Sequence, residues 1–230
     1  NYKAGMILPS TKDVTKDGSI FAGWYDNAEF TGNVITTVPS DAADDLIYYA
    51  KWVRTKTVFD NFDDVTKTWR DNSGEGKITT NTDNANAYSG SRSMKCEIPS
   101  SDTAYIFTSD SFTVDGEGIA FWIKTPKSLN IELQINYNSA SSGKISVPKG
   151  ESFVFIPWSK FGEDYISSLE WPLWAFQIIV KGAKSGDIVY IDDVGTYYGY
   201  NDENISFNKN GGTFSNDEPT KYYPGMELPS

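Results

Sequence analysis

The segment LNIELQINY at residues 129–137 decides the fold class, because apolar and polar residues alternate along its whole length. A side-chain period of two is that of a β-strand with one face on a core and the other in water. The apolar face is predicted to hold Leu129, Ile131, Leu133, Ile135 and Tyr137. The segment therefore predicts an antiparallel sheet with one wet face.

The same alternation continues in two further segments, residues 119–124 and 175–181. Helix signals are weak, and dense Gly, Asn, Asp and Ser turns separate short runs of β-branched and aromatic residues. These features predict an all-β chain, a two-sheet sandwich of jelly-roll type. The other predicted strands are residues 20–25, 46–52, 57–62, 77–81, 93–98, 104–113, 144–147, 152–156 and 187–198.

The composition excludes several classes of function. The chain has 230 residues, of which 15% are aromatic. Its net charge of -11 argues against binding to nucleic acid or to an acidic membrane surface. No run of residues is long enough to insert across a bilayer. The absence of histidine excludes a Ser-His-Asp hydrolase within the chain. Cys96 is the only cysteine, so an internal disulfide and a cysteine-based zinc site are excluded as well.

An internal repeat divides the chain. NYKAGMILPS at residues 1–10 and KYYPGMELPS at 221–230 are identical at six of ten positions. We place domain boundaries near residues 54–56 and 200–204. The predicted units are a small repeat module at 1–54, a sandwich at 55–200, and the first half of a second repeat at 204–230.

The two terminal segments resemble the Listeria–Bacteroides repeat, a β-grasp-like module of bacterial surface proteins. The resemblance is carried by GMILP at 5–9, FAGWY at 21–25 and YAKW at 49–52, and by NGG at 210–212 and GMELP at 225–229. It implies two complementary halves. We therefore expect residues 204–214 to pair with strands from 1–52 and to complete one small β-grasp-like module, within one chain or between neighbouring chains.

The middle of the chain resembles jelly-roll carbohydrate-binding modules of galactose-binding-like fold. The resemblance is carried by FDNFD at 59–63 followed by Trp69, GSRSM at 90–94, IPWSKF at 156–161 and VYIDDV at 189–194. It implies a structural calcium ion where the first and last strands of the sandwich meet. By that analogy Asp193 and the early carboxylate Asp60 are predicted ligands. The alternative is that these are solvated acids in turns.

A sugar ring has apolar faces and a rim of hydroxyl groups, so its site needs flat aromatic side chains beside amides and charges. EWPLW at residues 170–174 places Trp171 and Trp174 in a loop just before a strand, where we predict two stacking surfaces. The alternative is that one of the two rings closes the end of the core.

A second set of candidates depends on the pairing of the alternating strands. If strands 119–124, 129–137 and 175–181 are neighbours, then Trp122 shares the wet face with amides and a lysine. The alternative is an ordinary solvated face with Trp122 covered by a loop. The predicted glycan-binding residues of this set are Trp122, Gln134, Asn136, Gln177 and Lys181.

The sequence thus predicts a non-catalytic polysaccharide-binding module, because no pair of carboxylates lies in a recognisable catalytic motif. The expected ligand is a glucan. A starch-type α-glucan is preferred, because adjacent tryptophans suit a curved chain and because the module resembles glucan-adherence proteins of gut bacteria. We expect a secreted or cell-surface bacterial protein with further modules. The alternative is a protein-binding or structural spacer module of a surface adhesin.

Overall fold

The computed structural model describes residues 3–9, 13–14, 16, 19–42, 46–64, 67–169 and 172–198. Strands dominate this part of the chain, and its one α-helix, α1, is Glu163–Ser167. No helix among these residues is long and apolar enough to cross a membrane. The strands are β1 (Ile20–Tyr25), β2 (Tyr49–Asp60), β3 (Arg70–Asp71), β4 (Lys77–Asn81), β5 (Ser93–Glu97), β6 (Thr103–Thr108), β7 (Gly118–Thr125), β8 (Leu129–Ile135), β9 (Ala140–Val147), β10 (Gly150–Pro157), β11 (Phe176–Lys181) and β12 (Ile188–Tyr198).

The strands form two antiparallel sheets. The five-stranded sheet has the order β3-β6-β11-β8-β9. In the seven-stranded sheet the long strand β12 pairs with β2 and β5 along one edge and with β7 along the other, and β1, β4 and β10 lie outside them. The predicted all-β, two-sheet sandwich is confirmed.

The core lies between the two sheets and follows the alternation of the sequence. Ile131 and Leu133 of β8 and Ile178 of β11 point inward and are fully buried. Phe121 and Ile123 of β7 meet them from the seven-stranded sheet. Each such side chain contributes about 1.5–3 kcal/mol to folding. The intervening residues of β8 consequently point away from the core, onto the outer face of the five-stranded sheet.

The prediction for Trp122 is wrong. Strand β7 pairs with β10 and β12 and not with β8 or β11, so Trp122 lies in the other sheet from Gln134 and Gln177. Its side chain is 0% exposed. The hairpin of β1 and β2 covers this outer face and forms a second apolar cluster with Trp122, which includes Ile20, Ala22, Val53, Phe153 and Tyr197.

Tyr137 also departs from the prediction, which placed it on the apolar face with Ile135. Strand β8 ends at Ile135, and the next three residues have φ angles of 49°, 52° and 70°. This left-handed turn breaks the period of two. Tyr137 is therefore 55% exposed and lies beside the outer face of the sheet.

The three motifs of the N-terminal segment lie together. Trp24 donates a hydrogen bond from its indole nitrogen to the Pro9 carbonyl at 2.9 Å, and Phe21 contacts the rings of Trp24 and Trp52 at 5.1 and 5.4 Å. Strand β2 runs without a break through the predicted boundary near residues 54–56. The predicted pairing of residues 204–214 lies outside the described residues.

Candidate functional site

The outer face of the five-stranded sheet carries the candidate site. Cross-strand pairing sets one row of side chains across all five strands: Arg70 on β3, Phe107 on β6, Gln177 on β11, Gln134 on β8 and Ser141 on β9. Neighbouring side chains in such a row stand about 5 Å apart. The face is therefore a continuous surface of mixed aromatic, amide and charged groups.

Gln177 and Gln134 of this row, together with the neighbouring Asn72, form one hydrogen-bonded chain, which we call the amide row. Asn72 Nδ2 donates to Gln177 Oε1 at 3.1 Å, and Gln177 Nε2 donates to Gln134 Oε1 at 3.1 Å. Gln134 Nε2 in turn donates to Glu132 Oε1 at 3.0 Å. Each amide thus donates a hydrogen bond to the next side chain in the same direction, and the last acceptor is the Glu132 carboxylate. Such a network holds its donors and acceptors in fixed positions before any ligand arrives.

Glu132 is the charged end of the network. Its carboxylate accepts hydrogen bonds from Lys181 Nζ at 2.9 Å and from Ser141 Oγ at 2.8 Å. These two bonds, that from Lys181 foremost, hold the pKa of Glu132 below its usual range. The Lys181 side chain is half-exposed. The face therefore presents a paired lysine and carboxylate at one end of the amide row.

Three rings form a cluster beside Gln177, which is the cross-strand partner of Phe107. We call Phe107, Tyr137 and Trp174 the aromatic cluster. Tyr137 stacks on Phe107 with centroids 5.8 Å apart and an angle of 29°. Trp174 meets Tyr137 edge-on at 4.8 Å and 84°. Phe107 is buried, whereas Tyr137 and Trp174 are 55% and 53% exposed. The Arg70 guanidinium lies 4.6 Å from the Phe107 ring centre and completes the cluster.

The local fold turns Trp174 outward. Leu173 and Ala175 on either side of it are buried, and Leu173 forms an isolated β-bridge with Phe112. Ala175 has a φ of 64°, an uncommon conformation for a residue with a Cβ atom. Two buried neighbours thus anchor the segment and leave the Trp174 ring in solvent. Trp171, the other predicted stacking residue, lies outside the described residues.

Five of the predicted glycan residues lie on or beside the outer face. Gln134, Gln177 and Lys181 lie on the outer face as expected, and Trp174 stands at its edge. The polar atoms of Asn136 are engaged with Tyr165 and the backbone of Trp174. Sequence reasoning placed none of Arg70, Phe107 and Tyr137 in the site. The alternation of Thr103, Tyr105 and Phe107 against Ala104 and Ile106 was a usable signal for β6.

The two predicted calcium ligands lie on neighbouring strands, since Val194 of β12 pairs with Asp60 of β2. The Asp60 carboxylate is buried and accepts hydrogen bonds from the amides of Phe62 and Lys67 at 2.8 and 2.9 Å and from Trp69 Nε1 at 2.7 Å. Burial raises its pKa. Three protein donors thus approach the two oxygens of Asp60, and its role as a calcium ligand stays a prediction.

Asp193 is different. It has a left-handed φ of 47°, its Oδ1 accepts a hydrogen bond from Ser89 Oγ at 2.9 Å, and burial raises its pKa. Within the part of the chain that the structure describes, no group of three or more His, Cys, Asp or Glu side chains is placed to hold a metal ion. Calcium binding stays a prediction, and Asp193, with one hydrogen bond from a side chain, is the less engaged of its two predicted ligands.

The sequence matches no family model and no curated protein. Among solved structures, a family 11 carbohydrate-binding module from Clostridium thermocellum, in complex with a β-1,3-1,4-mixed-linked tetrasaccharide, has a TM-score of 0.44 at 18% identity, covering 62% of this chain and 94% of its own. A carbohydrate-binding module specific for non-crystalline cellulose, CBM28, has a TM-score of 0.42 at 17% identity, covering 62% and 92%. At this level of similarity, the assignment of function rests on the residues of this chain.

Proposed function

We propose that this chain is a non-catalytic module that binds polysaccharide on the outer face of its five-stranded sheet. The observation that carries the proposal is the exposure of Tyr137 and Trp174 directly beside the hydrogen-bonded amide row. Exposed aromatic rings next to fixed polar groups match the two surfaces of a sugar ring. The aromatic cluster stacks on the apolar face of one sugar residue, and Gln134, a half-buried member of the amide row, binds the hydroxyl rim of the next. Gln177 is buried and holds Gln134 in place.

We propose a glucan as the ligand, with a starch-type α-glucan preferred. The supporting observation is the angle of 84° between the Tyr137 and Trp174 rings. A flat, ribbon-like chain stacks best on coplanar rings. A chain that curves presents successive sugar faces at an angle to one another, and two rings set nearly at right angles suit it better.

The proposal includes the absence of catalysis, and the state of Glu132 supports this. A general acid at neutral pH needs a raised pKa. The pKa of Glu132 is instead lowered by Lys181 and Ser141. Glu132 therefore stays ionised and serves as a hydrogen-bond acceptor. The chain acts by holding a polysaccharide near the other modules of its parent protein.

The proposed context is a secreted or cell-surface bacterial protein in which Listeria–Bacteroides-type repeats flank the sandwich. The contacts among the 5–9, 21–25 and 49–52 motifs support a small module at the N-terminal end. Such an arrangement places the glycan-binding face on an extended surface protein.

The direct test is affinity electrophoresis with soluble starch, mixed-linkage β-glucan and galactan, followed by calorimetry on the best ligand. We expect retardation by a glucan and loss of at least tenfold in affinity for Trp174→Ala, or about 1.4 kcal/mol. Tyr49 is an exposed aromatic residue on β2, in the other sheet, so Tyr49→Ala is the matched control and retains binding. Unchanged migration of the Trp174→Ala variant with every glycan would overturn the proposal.

The alternative, a protein-binding or spacer module, finds some support in the exposed side chains of Ile7 and Ile47, which are 74% and 71% exposed. Isolated exposed apolar residues are ordinary on protein surfaces, which is why this function ranks second. Intrinsic fluorescence separates the two. A change on addition of glucan supports the first function, and no change with any glycan supports the second.

A further inference from the structure

Asn136 links three separate segments around the aromatic cluster. It is the first residue after β8, its Oδ1 accepts a hydrogen bond from the Trp174 backbone N–H at 3.1 Å, and its Nδ2 donates to the Tyr165 hydroxyl at 3.0 Å. We propose that Asn136 is a positioning residue that sets the angle between the Tyr137 and Trp174 rings. This inference rests on the proposed function for its effect on affinity.

The hydrogen bonds of Asn136 give it this role. Both polar atoms of its side-chain amide have partners in segments outside β8. One of these partners is the backbone N–H of Trp174 itself, so the side chain ties the end of β8 directly to the residue that carries the exposed ring.

The backbone turn that begins at Asn136 also holds Tyr137 in place. Asn136, Tyr137 and Asn138 all have left-handed φ angles, a conformation that asparagine adopts more readily than most residues. The turn is closed by the Ser139 N–H, which donates to the Ile135 carbonyl at 3.1 Å, and by the Ser139 hydroxyl, which donates to the Asn136 carbonyl at 2.6 Å. Tyr137 is thus directed toward Trp174 by a defined turn.

The strained residue Ala175 lies on the other side of the contact, directly after Trp174. Strained backbone persists only where its surroundings hold it, and it is frequent at functional sites. Here the segment 136–138 and the segment that ends at Ala175 are joined by the ring contact of Tyr137 with Trp174 and by the hydrogen bond from the Trp174 N–H to Asn136 Oδ1. Loss of the Asn136 side chain removes that hydrogen bond.

The consequence for binding follows from preorganisation. Tyr137 and Trp174 are more than half exposed, so ring contacts hold each of them on one side and leave the other side in solvent. A ring that moves freely must be ordered when the ligand binds, and this ordering weakens the affinity. Because Asn136 holds the Trp174 backbone before the ligand binds, it reduces the free energy needed to order the ring on binding. It thus acts on affinity through Trp174.

The test compares two substitutions at this position by ¹⁹F NMR of protein labelled with 5-fluorotryptophan, with the Trp174 signal assigned by its loss in Trp174→Phe. Asn136→Gly removes the amide but tolerates the left-handed φ. We expect a shifted or broadened Trp174 signal, with unchanged signals from the buried Trp122 and Trp158, and a loss of fivefold or more in glucan affinity. Asn136→Asp keeps an acceptor for both the Trp174 N–H and the Tyr165 hydroxyl, and restores signal and affinity.

Tyr165→Phe removes one of the two links without changing the turn, and a smaller shift of the Trp174 signal is expected. It also carries the test if Asn136→Gly does not fold. A Trp174 signal that stays at its wild-type position in both variants would overturn the proposal. If wild-type protein binds no glycan, the proposed function fails, and the NMR signal still decides whether Asn136 positions Trp174.

Discussion

Gln177 donates a hydrogen bond from Nε2 to Oε1 of Gln134 at 3.1 Å and thereby joins the two neighbouring strands β11 and β8 on their outer face. Gln177 is buried and also accepts from Asn72, so it is the central link of the amide row. The order of the row depends on this one side chain more than on any exposed member.

The first prediction concerns this link. Gln177→Leu keeps the approximate volume but leaves Asn72 Nδ2 and Gln134 Oε1 without their partner. We expect the free energy of unfolding to fall by about 1–3 kcal/mol and glucan affinity to fall about tenfold, measured by urea denaturation and calorimetry. Ser146→Ala, on the same face but outside the row, is the control and keeps wild-type affinity. Equal affinities for both variants would contradict a role of the row in binding.

The second prediction separates structure from binding at Trp122. Because its ring fills the cluster under the β1–β2 hairpin, Trp122→Ala should lower the free energy of unfolding by about 3–5 kcal/mol. The fraction that remains folded should bind glucan with unchanged affinity. Denaturation curves and calorimetry on the same sample check both. A loss of affinity with unchanged stability would contradict this role and would indicate that Trp122 contacts the glycan.

The contrast between β7 and β8 shows what the alternation of apolar and polar residues predicts and what it leaves open. In β8 the residues between the core positions are Asn130, Glu132 and Gln134, and the face they form is wet, as predicted. In β7 the corresponding residues begin with Ala120 and Trp122, which are apolar. A strand with apolar residues on both faces is buried on both. The apolar residues on both faces of β7 were visible in the sequence. The β1–β2 hairpin that covers β7 comes from a distant part of the sequence, so the residues of β7 alone did not identify it.

The aromatic cluster was harder to predict. Tyr137 follows the alternation of β8 in sequence, and only the left-handed turn at 136–138 removes it from the apolar face. Phe107 and Arg70 meet because β3 pairs with β6, and β3 is only two residues long. Such short strands and turns are set by tertiary contacts and leave little pattern in the sequence. Trp174 was found because its motif is local.

The third prediction is a pH dependence that arises from Glu132. Its pKa is lowered from 4.5 in the folded state, chiefly by the hydrogen bond from Lys181. A group with a lowered pKa contributes stability that is complete above its unfolded pKa and is lost as the pH falls through its folded pKa. We therefore expect a constant contribution from neutral pH down to about pH 5.

The pair is partly exposed, so the effect on stability is small, about 0.2–1 kcal/mol. Titration of the Glu132 carboxyl carbon by NMR measures the pKa directly. Lys181→Met should raise it toward the usual value. Glucan affinity should fall with the protonation of Glu132, because the amide row then loses its carboxylate acceptor. A Glu132 pKa that does not change in Lys181→Met would contradict this account.

The fourth prediction concerns calcium. Titration of the chelated protein with calcium should release or absorb heat and raise the melting temperature, and Asp193→Asn should abolish both effects. Asp60→Asn is the matched comparison. It should lower the free energy of unfolding by roughly 2 kcal/mol, because it disturbs the hydrogen bonds from Trp69, Phe62 and Lys67, but should weaken calcium binding less than Asp193→Asn does. Wild-type protein that shows neither heat nor a change in melting temperature would contradict the prediction.

The unbroken strand β2 has a mechanical consequence. Its segment from Arg54 to Asp60 runs antiparallel to β12, with Arg54 opposite Tyr198 at one end and Asp60 opposite Val194 at the other. A tensile force applied between the β1–β2 hairpin and the chain at Tyr198 therefore acts on the same end of both strands. Under such a load the hydrogen bonds break one after another, as in a zipper, and not all together as in shear. We therefore expect the module to yield first along β2 and β12, which belong to the seven-stranded sheet, and the aromatic cluster on the other sheet to keep its geometry at that stage.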